Sequence, residues 1–260
     1  MLAGKVIIVT GGSAGIGAAI VDACLAAGAF VLSADIAPPR ALAHPSLAAV
    51  VASVASAEGQ RAIVDAALFR FSHIDGLVNN AGVNLAKDFL ATTEGDWDKT
   101  LAVDLKGVFF LTQAVVRDAL ARGRPLSIVN VSSVHSVAGV AGAGPYDAAK
   151  SGVVGLTRAL AVELAPRRVR VNAVSPGLVR TLIWDGLMAA ASDRAACEAY
   201  WSAQAPMGRI IEPCEVAAPI VFLLSDGASA MTGTNTVVDA GMLAQLISTP
   251  PFSSSAIGGE

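Results

Sequence analysis

The sequence is poor in cysteine, in histidine and in long apolar runs, and each shortage argues against a class of protein. The three cysteines are odd in number, far apart and without metal-ligand spacing, so we interpret them as packing or incidental thiols. The three histidines form no cluster either, and we expect no metal site. No apolar segment runs uninterrupted for the length that a bilayer requires, which argues against a membrane-spanning protein.

A large excess of one charge is also missing. The formal net charge is −3 and no basic run occurs, which argues against a nucleic-acid or membrane surface and favours a small-molecule partner. The first five residues lead directly into an apolar run without the features of a secretory signal, so we expect a cytoplasmic protein.

The chain does contain a regular alternation of strand-like and helix-like segments. With 260 residues, of which 54% are hydrophobic, it is long enough for one large core. The predicted strands are 5–10, 30–34, 47–51, 76–79, 126–131, 169–174 and 236–238. The predicted helices are 18–27, 58–71, 96–121, 148–164 and 213–224. This alternation predicts a single-domain α/β fold of the Rossmann type, a doubly wound parallel sheet with helices on both faces.

We expect the catalytic domain to span residues 1–247 and a C-terminal tail to follow over 248–260. Residues from about 178 to 208 include an alanine-rich stretch that follows a late strand. Because such segments lie over the carboxyl edge of the sheet, where ligands bind, we predict a substrate lid there. An ordinary pair of surface helices is the alternative.

The first motif with chemical meaning is the glycine loop Thr10–Gly17, which lies between a predicted strand and a predicted helix. Glycines let the backbone approach a pyrophosphate, whose charge is favoured by the free N–H groups at a helix start. The next predicted strand leads to Asp35, which is placed to accept hydrogen bonds from the ribose hydroxyls of a dinucleotide.

Asp35 also bears on the choice between NAD and NADP. Two unit charges about 4 Å apart at an effective dielectric of about 20 repel by about 4 kcal/mol, and less when solvated. The 2′-phosphate of NADP would meet this like charge, and no compensating cation is visible at Ala14 or Ile36. We therefore predict NAD as the cofactor.

A second motif runs from Ser133 to Lys150 and includes Tyr146. If Tyr146 and Lys150 share a helix, their spacing of four residues places them on one face, and the glycine-containing segment before them can return Ser133 to the same place. A phenol is a poor base at neutral pH unless a positive charge stabilises the phenolate, and the Lys150 ammonium would supply that charge.

In these motifs and in their order, the chain resembles the short-chain dehydrogenase/reductase family from about residue 2 to residue 241. Further matching motifs are 79–82 (Asn-Asn-Ala-Gly), Asn172 and Pro176-Gly177. The resemblance implies that Tyr146 is the general acid/base, that Lys150 favours the phenolate and binds the nicotinamide ribose, and that Ser133 orients the substrate oxygen.

The resemblance and the residue chemistry together give a full set of candidate site residues. The predicted cofactor-binding residues are Gly11, Ser13, Gly15, Ile16, Gly17, Asp35, Ser53, Val54, Asn80, Ala81, Gly82, Tyr146, Lys150, Pro176, Gly177, Val179 and Thr181. The predicted catalytic residues are Ser133, Tyr146, Lys150 and Asp104. The predicted substrate-binding residues are Ser133, His135, Asn84, Tyr146 and Trp184.

Two of these positions depart from the family pattern. Ser53 stands where the family commonly has an acidic residue facing the adenine, and Asp104 stands where it usually has a catalytic asparagine. In the family, the main-chain carbonyl of this asparagine holds a water in a proton relay to the lysine. We hypothesise that Asp104 keeps the relay through its carbonyl while its charge competes for Lys150. A carboxylate that only bonds a local N–H is the alternative.

These observations predict an NAD-dependent dehydrogenase or reductase that transfers a hydride between nicotinamide and a secondary alcohol or carbonyl. A small polyol, sugar or hydroxy acid is the favoured substrate, and a steroid or 3-oxoacyl compound is the alternative. The alternative hypothesis is an NAD-binding regulatory or structural protein that has lost its catalytic activity. The family is usually dimeric or tetrameric, so we expect a homo-oligomer, with a tetramer favoured.

Overall fold

The computed structural model describes residues 1–39 and 44–246. Its strands are β1 (Val6–Thr10), β2 (Phe30–Asp35), β3 (Leu47–Val51), β4 (Gly76–Asn79), β5 (Leu126–Val131), β6 (Val169–Pro176) and β7 (Asn235–Val238). Its α-helices are α1 (Gly15–Ala26), α2 (Ala57–Phe71), α3 (Glu94–Leu101), α4 (Val108–Ala121), α5 (Gly144–Leu164), α6 (Leu182–Ala190), α7 (Arg194–Ser202) and α8 (Pro213–Leu224). The predicted tail over 248–260 lies outside the described residues.

The seven strands form one parallel sheet in the order β3-β2-β1-β4-β5-β6-β7. The chain winds outward from β1 in one direction and from β4 in the other, so a crevice opens at the carboxyl ends of these two strands. Every residue of β1, β4 and β5 is buried, because helices cover both faces of the sheet. The predicted doubly wound α/β fold is confirmed.

Two hydrophobic cores lie on the two faces of the sheet. On one face, Ile7 and Val9 of β1 pack with residues of α1 and α8. On the other face, Ile8 packs with residues of α2, α4 and α5. The alternation of neighbouring β1 residues between the two cores follows from the two-residue period of a strand.

One predicted helix is wrong in detail. The stretch 96–121 is not one helix but consists of α3, a π-helical segment (Ala102–Gly107) and α4. The apolar pattern continues through the segment, so the sequence does not reveal the widened turn. Asp104 lies inside this segment and is fully buried.

The long helix α5 begins at Gly144, four residues before its predicted start. Pro145 occupies the first turn, where a missing N–H costs no helical hydrogen bond. Tyr146 and Lys150 therefore both lie on α5. No helix within the described ranges is long and apolar enough to cross a bilayer.

Candidate active site

A cavity of about 380 Å³ opens at the carboxyl edge of the sheet, in the crevice beside β1 and β4. The predicted cofactor residues that line it are Gly11, Gly15, Ile16, Gly17, Asp35, Ser53, Val54, Asn80, Ala81, Gly82 and Thr181. Further lining residues, which the sequence analysis missed, are Ala14, Ala34, Ile36, Ala52, Val83, Val103, Leu182 and Ile183. Most of the missed residues are apolar neighbours of the motifs and carry no chemical signal of their own.

The glycine loop forms one wall of the cavity with its backbone. Gly11 has φ +67°, in the left-handed region, and a Cβ at Gly17 would lie 1.9 Å from the carbonyl oxygen of Gly11. Helix α1 begins at Gly15, and its N-cap Ala14 provides no side-chain hydrogen bond. The N–H groups of the first turn therefore remain available to an anion, which the positive end of the helix favours.

A second helix start lies against this loop. Helix α6 begins after Thr181, whose side chain makes no capping hydrogen bond. A Cβ at Gly15 would lie 3.3 Å from Thr181 Cγ2, so the two helix starts are in close contact. Leu182 and Ile183 extend the cavity wall along α6.

The carboxylate of Asp35 is held at the cavity wall by two backbone groups. Its Oδ2 accepts a hydrogen bond of 3.0 Å from the Ser13 N–H, and its Oδ1 accepts one of 3.0 Å from the Ala37 N–H. Ser13 thus orients Asp35 but does not itself line the cavity. A carboxylate has further lone pairs that remain free to accept hydroxyl donors.

Asn80 ties the ends of β1 and β4 together below the cavity. Its Nδ2 donates to the carbonyls of Thr10 and Gly11, at 2.9 and 3.2 Å. The Thr10 hydroxyl in turn accepts the N–H groups of Asn80 and Ala81, at 3.0 and 3.1 Å. These bonds show that Asn80 stabilises the junction of β1 and β4.

Lys150 is 4% exposed and is surrounded by acceptors. Its Nζ lies 3.2 Å from Asp104 Oδ2, donates to the Val131 carbonyl at 3.2 Å and sits 5.3 Å from the centroid of the Tyr146 ring. Asp104 Oδ1 accepts the Val83 N–H at 2.8 Å. Asp104 Oδ2 has no aligned hydrogen bond from the described residues, so the ion pair with Lys150 is its sole polar contact there.

Burial and the neighbouring charges act in opposite directions on the ionisation of this pair. It raises the pKa of the Asp104 carboxyl, against the opposing effects of the Lys150 charge and the Val83 N–H. Burial also acts to lower the pKa of the Lys150 ammonium, but the negative charges of Tyr146, when ionised, and of Asp104 outweigh it and raise that pKa. The ammonium form is therefore the stable state of Lys150.

The ion pair lies directly behind the cavity wall. A Cβ at Gly82 would lie 3.0 Å from Asp104 Oδ2 and 3.4 Å from Lys150 Nζ. Gly82 itself lines the cavity, so only its backbone separates the charges from a ligand there. A side chain at position 82 would therefore press on the buried ion pair.

Ser133 and His135 lie close to the Tyr146 end of α5. Ser133 is buried, and its Oγ accepts the His135 N–H at 3.3 Å. The His135 ring lies edge-on to the Tyr146 ring, with centroids 5.2 Å apart. Its Nδ1 lies 2.5 Å from Asp147 Oδ1. The sequence did not single out Asp147, because it occupies a variable position of the Tyr146-x-x-x-Lys150 motif.

The remaining predicted residues lie apart from the cavity walls. Pro176 ends β6, Gly177 donates to the Val238 carbonyl at 2.9 Å, and Val179 bridges to Ile211. Asn84 is exposed on the loop after the 79–82 turn.

Trp184, a predicted substrate-binding residue, lies in an apolar cluster formed mainly by the 178–208 segment. Its side chain is 2% exposed and packs with Met188 and Ile210 in a small cluster of its own. This cluster is separate from the two main cores, and its partly buried members include Trp201 of α7. The indole is therefore placed to hold α6 and α7 together.

Residues 1–39 and 44–246 contain no group of three or more histidine, cysteine or acidic side chains that could hold a metal ion. Within the same ranges the three cysteines are unpaired, and burial raises the pKa of the Cys24 thiol to about 12.

Comparison with known sequences finds matches over nearly the whole chain. A family model described as enoyl-(acyl carrier protein) reductase matches residues 11–243. The chain is 37% identical over 250 residues to 3-oxoacyl-(acyl-carrier-protein) reductase FabG of Thermotoga maritima, covering 93% of this chain and 99% of that protein. It is 38% identical over 253 residues to 3-alpha-(or 20-beta)-hydroxysteroid dehydrogenase of Mycobacterium tuberculosis, covering 94% and 92%.

Solved structures show the same fold. Ligand-free aldohexose dehydrogenase of Thermoplasma acidophilum matches with a TM-score of 0.88 and 33% identity, covering 96% of this chain and 98% of that one. A putative 2-deoxy-D-gluconate 3-dehydrogenase of Agrobacterium tumefaciens with bound NADP matches at 0.83 and 34%, covering 94% and 98%. The 3-ketoacyl-(acyl-carrier-protein) reductase of Brucella melitensis complexed with NADH matches at 0.83 and 29%, covering 93% and 99%.

The buried ion pair predicts a pH-dependent loss of stability when its cation is removed. We expect Lys150→Met to lower the free energy of unfolding by about 3 kcal/mol near pH 8, because it leaves the Asp104 carboxylate buried and unpaired. Burial raises the folded-state pKa of Asp104 above that of the unfolded chain, so the carboxyl costs stability only as the pH rises above the unfolded value. The loss should therefore be smaller near pH 5, and urea unfolding at both pH values measures it.

Lys87→Met is the matched control, because its partner Asp96, 2.6 Å away, is more exposed than Asp104 and that carboxylate remains solvated. It should change stability much less. Adding Asp104→Asn to Lys150→Met should recover most of the loss. An equal loss at both pH values, or a double variant no more stable than Lys150→Met, would contradict the ion pair as described.

Proposed function

The chain belongs to the short-chain dehydrogenase/reductase family, and we propose that it is an NAD-dependent dehydrogenase of secondary alcohols that also reduces the corresponding carbonyls. The predicted family and the predicted enzyme class, an oxidoreductase acting on CH–OH or carbonyl groups, are confirmed by the relatives. One observation supports the proposed alcohol oxidation. The phenol of Tyr146 lies beside the buried ammonium of Lys150, and this ammonium lies directly behind the glycine wall of the cavity.

The cavity residues fit the nicotinamide dinucleotide that this family binds. The close approach of Gly17 to the Gly11 carbonyl, which keeps the loop tight, is possible only because Gly17 has no Cβ. The uncapped first turn of α1 would hold the pyrophosphate. Asp35 would accept the adenosine ribose hydroxyls, and Lys150 would bind the nicotinamide ribose. When bound in its oxidised form, the nicotinamide supplies the hydride acceptor.

Side chains of the protein would accept the proton that the alcohol loses. Tyr146 would take the proton of the alcohol, and the Lys150 ammonium would stabilise the resulting phenolate. The Ser133 Oγ already accepts the His135 N–H, so its own hydroxyl hydrogen is left to donate to the substrate oxygen. Loss of the proton and of the hydride from the same alcohol avoids a charged intermediate.

Replacing the phenol tests this assignment. We expect Tyr146→Phe to lower kcat by about 100- to 10,000-fold, the usual range for loss of a general acid/base, while the dissociation constant of NADH changes little. Steady-state rates on a broad alcohol panel and fluorescence titration with NADH measure the two effects. The matched control is Tyr200→Phe, since Tyr200 is an exposed tyrosine of α7.

A second candidate function follows from Asp104. Its carboxylate pairs with Lys150 and so weakens the stabilisation that the Lys150 charge would give to a Tyr146 phenolate. A protein that has lost the catalytic activity of its family would show such a weakening. A protein that binds NADH but turns over none of the panel, with or without Tyr146, would support this NAD-binding regulatory or structural role. The intact Ser133, Tyr146 and Lys150 favour the enzyme.

The preference for NAD rests on Asp35. Its carboxylate is fixed by Ser13 and Ala37 at the edge where the adenosine ribose would lie, and no cationic side chain lines the cavity within the described residues. A 2′-phosphate there would meet the negative charge of Asp35, and no cation among the described lining residues would offset it. The related structures carry NADP in one case and NADH in the other, so the family alone leaves this choice open.

We expect NADH to bind at least about tenfold more tightly than NADPH, since like-charge repulsion of about 1.4 kcal/mol suffices for that ratio. Asp35→Ser should bring the two dissociation constants within about threefold, because the repulsion is removed. Asp65→Ser, a change of an exposed acidic residue on α2, should leave the ratio unaltered. Fluorescence titration measures it, and tighter NADPH binding by the unchanged protein would overturn the assignment.

We propose that Asp104 tunes the reaction through Lys150. With the carboxylate ionised, the positive charge of Lys150 is shared between Asp104 and the phenolate of Tyr146. Asparagine would keep the hydrogen bond from Val83 but would carry no charge. The charge of Lys150 would then act on the phenolate alone.

Asp104→Asn is therefore expected to retain turnover and to shift the rising limb of the dehydrogenation pH profile downward by about one pH unit, the scale of one nearby charge. The profile of kcat/KM from acid to alkaline pH measures this shift. Near-total loss of activity, or an unchanged profile, would show that the carboxylate does not act in this way.

We propose residues of about 178–208 as the substrate lid and a small polyol, sugar or hydroxy acid as the substrate. Helices α6 and α7 have their own cluster around Trp184, and Leu182 and Ile183 reach the cavity, which supports a lid. A steroid or 3-oxoacyl compound remains the alternative class, because relatives carry such names.

A homo-oligomer, with a tetramer favoured, is the proposed assembly. Apolar side chains on α4 and α5 that are well exposed in the single chain support it, among them Phe109, Phe110 and Val162. A packed interface between copies would cover them.

A further inference from the structure

A histidine–aspartate pair lies beside the phenol of the active site. His135 Nδ1 and Asp147 Oδ1 are 2.5 Å apart, and the two side chains are 17% and 21% exposed. His135 follows Ser133 by two residues, and its ring is edge-on to that of Tyr146 at 5.2 Å. The pair therefore borders the place where a substrate would meet Ser133 and Tyr146.

Asp147 is fixed by a second contact. Its Oδ2 accepts the Val140 N–H at 3.2 Å, so the carboxylate joins α5 to the segment that carries His135. A carboxylate that is anchored at both oxygens holds the imidazole in one orientation. The pair is thus a rigid feature of the site.

The contact with Asp147 also selects the tautomer of His135. A carboxylate only accepts hydrogen bonds, so the hydrogen of a neutral imidazole must lie on Nδ1. Nε2 then carries a lone pair. Within the described residues Nε2 has no hydrogen-bond partner, although the side chain is only partly exposed. An unused acceptor is left next to the reacting groups.

The charges nearby argue for a neutral ligand at this acceptor. Two cations near this side of the site are paired: Lys150 with Asp104, and Lys87, which lines a cavity together with Asp147, with Asp96. A substrate carboxylate would meet the charge of Asp147, and neither of these two cations is unpaired to offset it. A hydroxyl group, which donates a hydrogen bond and carries no charge, suits Nε2.

We propose that His135 accepts a hydrogen bond from a second hydroxyl group of the substrate, on the carbon next to the one that is oxidised, and that Asp147 is the positioning residue that fixes the required tautomer. The proposal rests on the proposed alcohol dehydrogenase function and narrows it. The substrate class is vicinal diols, which includes polyols and sugars, in preference to hydroxy acids, steroids and acyl thioesters.

Matched substrates test the proposal directly. The pairs are butane-2,3-diol with butan-2-ol and cyclohexane-1,2-diol with cyclohexanol, and lactate serves as the anionic comparison. We expect kcat/KM at least about tenfold higher for each diol than for its mono-alcohol, the scale of one hydrogen bond. His135→Phe should bring the ratio near unity, mainly through KM for the diol. His73→Phe, whose imidazole pairs with Asp75 away from this site, should leave it unchanged.

The tautomer gives a readout that does not depend on turnover. The ¹⁵N NMR signals of the His135 imidazole, identified by their absence in His135→Phe, should show hydrogen on Nδ1 and a lone pair on Nε2. Asp147→Ala should lose this pattern and the diol preference together. Asp147→Asn, whose amide oxygen still accepts from Nδ1, should retain most of both. Addition of cyclohexane-1,2-diol with NADH should move the Nε2 signal.

The outcomes distinguish the role of His135 from the dehydrogenase function. Turnover of mono-alcohols or lactate as good as that of the diols, or a diol preference that survives His135→Phe, would overturn the role of His135 and leave the dehydrogenase intact. Hydrogen on Nε2 in the unchanged protein, or an Nε2 signal insensitive to the diol, would overturn it even without turnover. Failure to oxidise any alcohol on a broad panel would count against the dehydrogenase itself.

Discussion

The buried ammonium of Lys150 is the constraint on which the rest of the site depends. A charge with 4% exposure is tolerated only where acceptors surround it. Separate elements supply them: the carboxylate of Asp104 from the π-helical segment, the carbonyl of Val131 at the end of β5, and the ring of Tyr146 on α5 itself. The charge is therefore satisfied only where the sheet and both helical segments pack together.

The same charge links stability to chemistry. Asp104 pairs with the buried Lys150 charge, which lowers the cost of burial. In the proposed reaction it would also share the positive charge that stabilises the Tyr146 phenolate. The ion pair lies next to the backbone of Gly82, which lines the cavity. An asparagine in place of Asp104, as the family resemblance implies, would differ from it mainly in electrostatics, because the amide has a similar shape and no charge.

The two sides of the site are built differently. The proposed cofactor side consists of strand ends and backbone groups, tied by Asn80 and shaped by glycines. The proposed substrate side consists of side chains on loops and of the proposed lid, whose small cluster around Trp184 is separate from the main cores. In the proposed enzyme, the reaction and the choice of substrate would be controlled by different parts of the fold.

The sequence by itself determined the order of strands and helices, the glycine loop, Asp35 and the Tyr146 to Lys150 spacing, because local periodicity and short motifs report these features. It did not reveal the π-helical turn at Asp104, the buried position of Trp184 or the partnership of Asp147 with His135. Only the tertiary structure decided them. Residues distant in sequence become partners through packing, and periodicity shows which residues are buried but not what they contact.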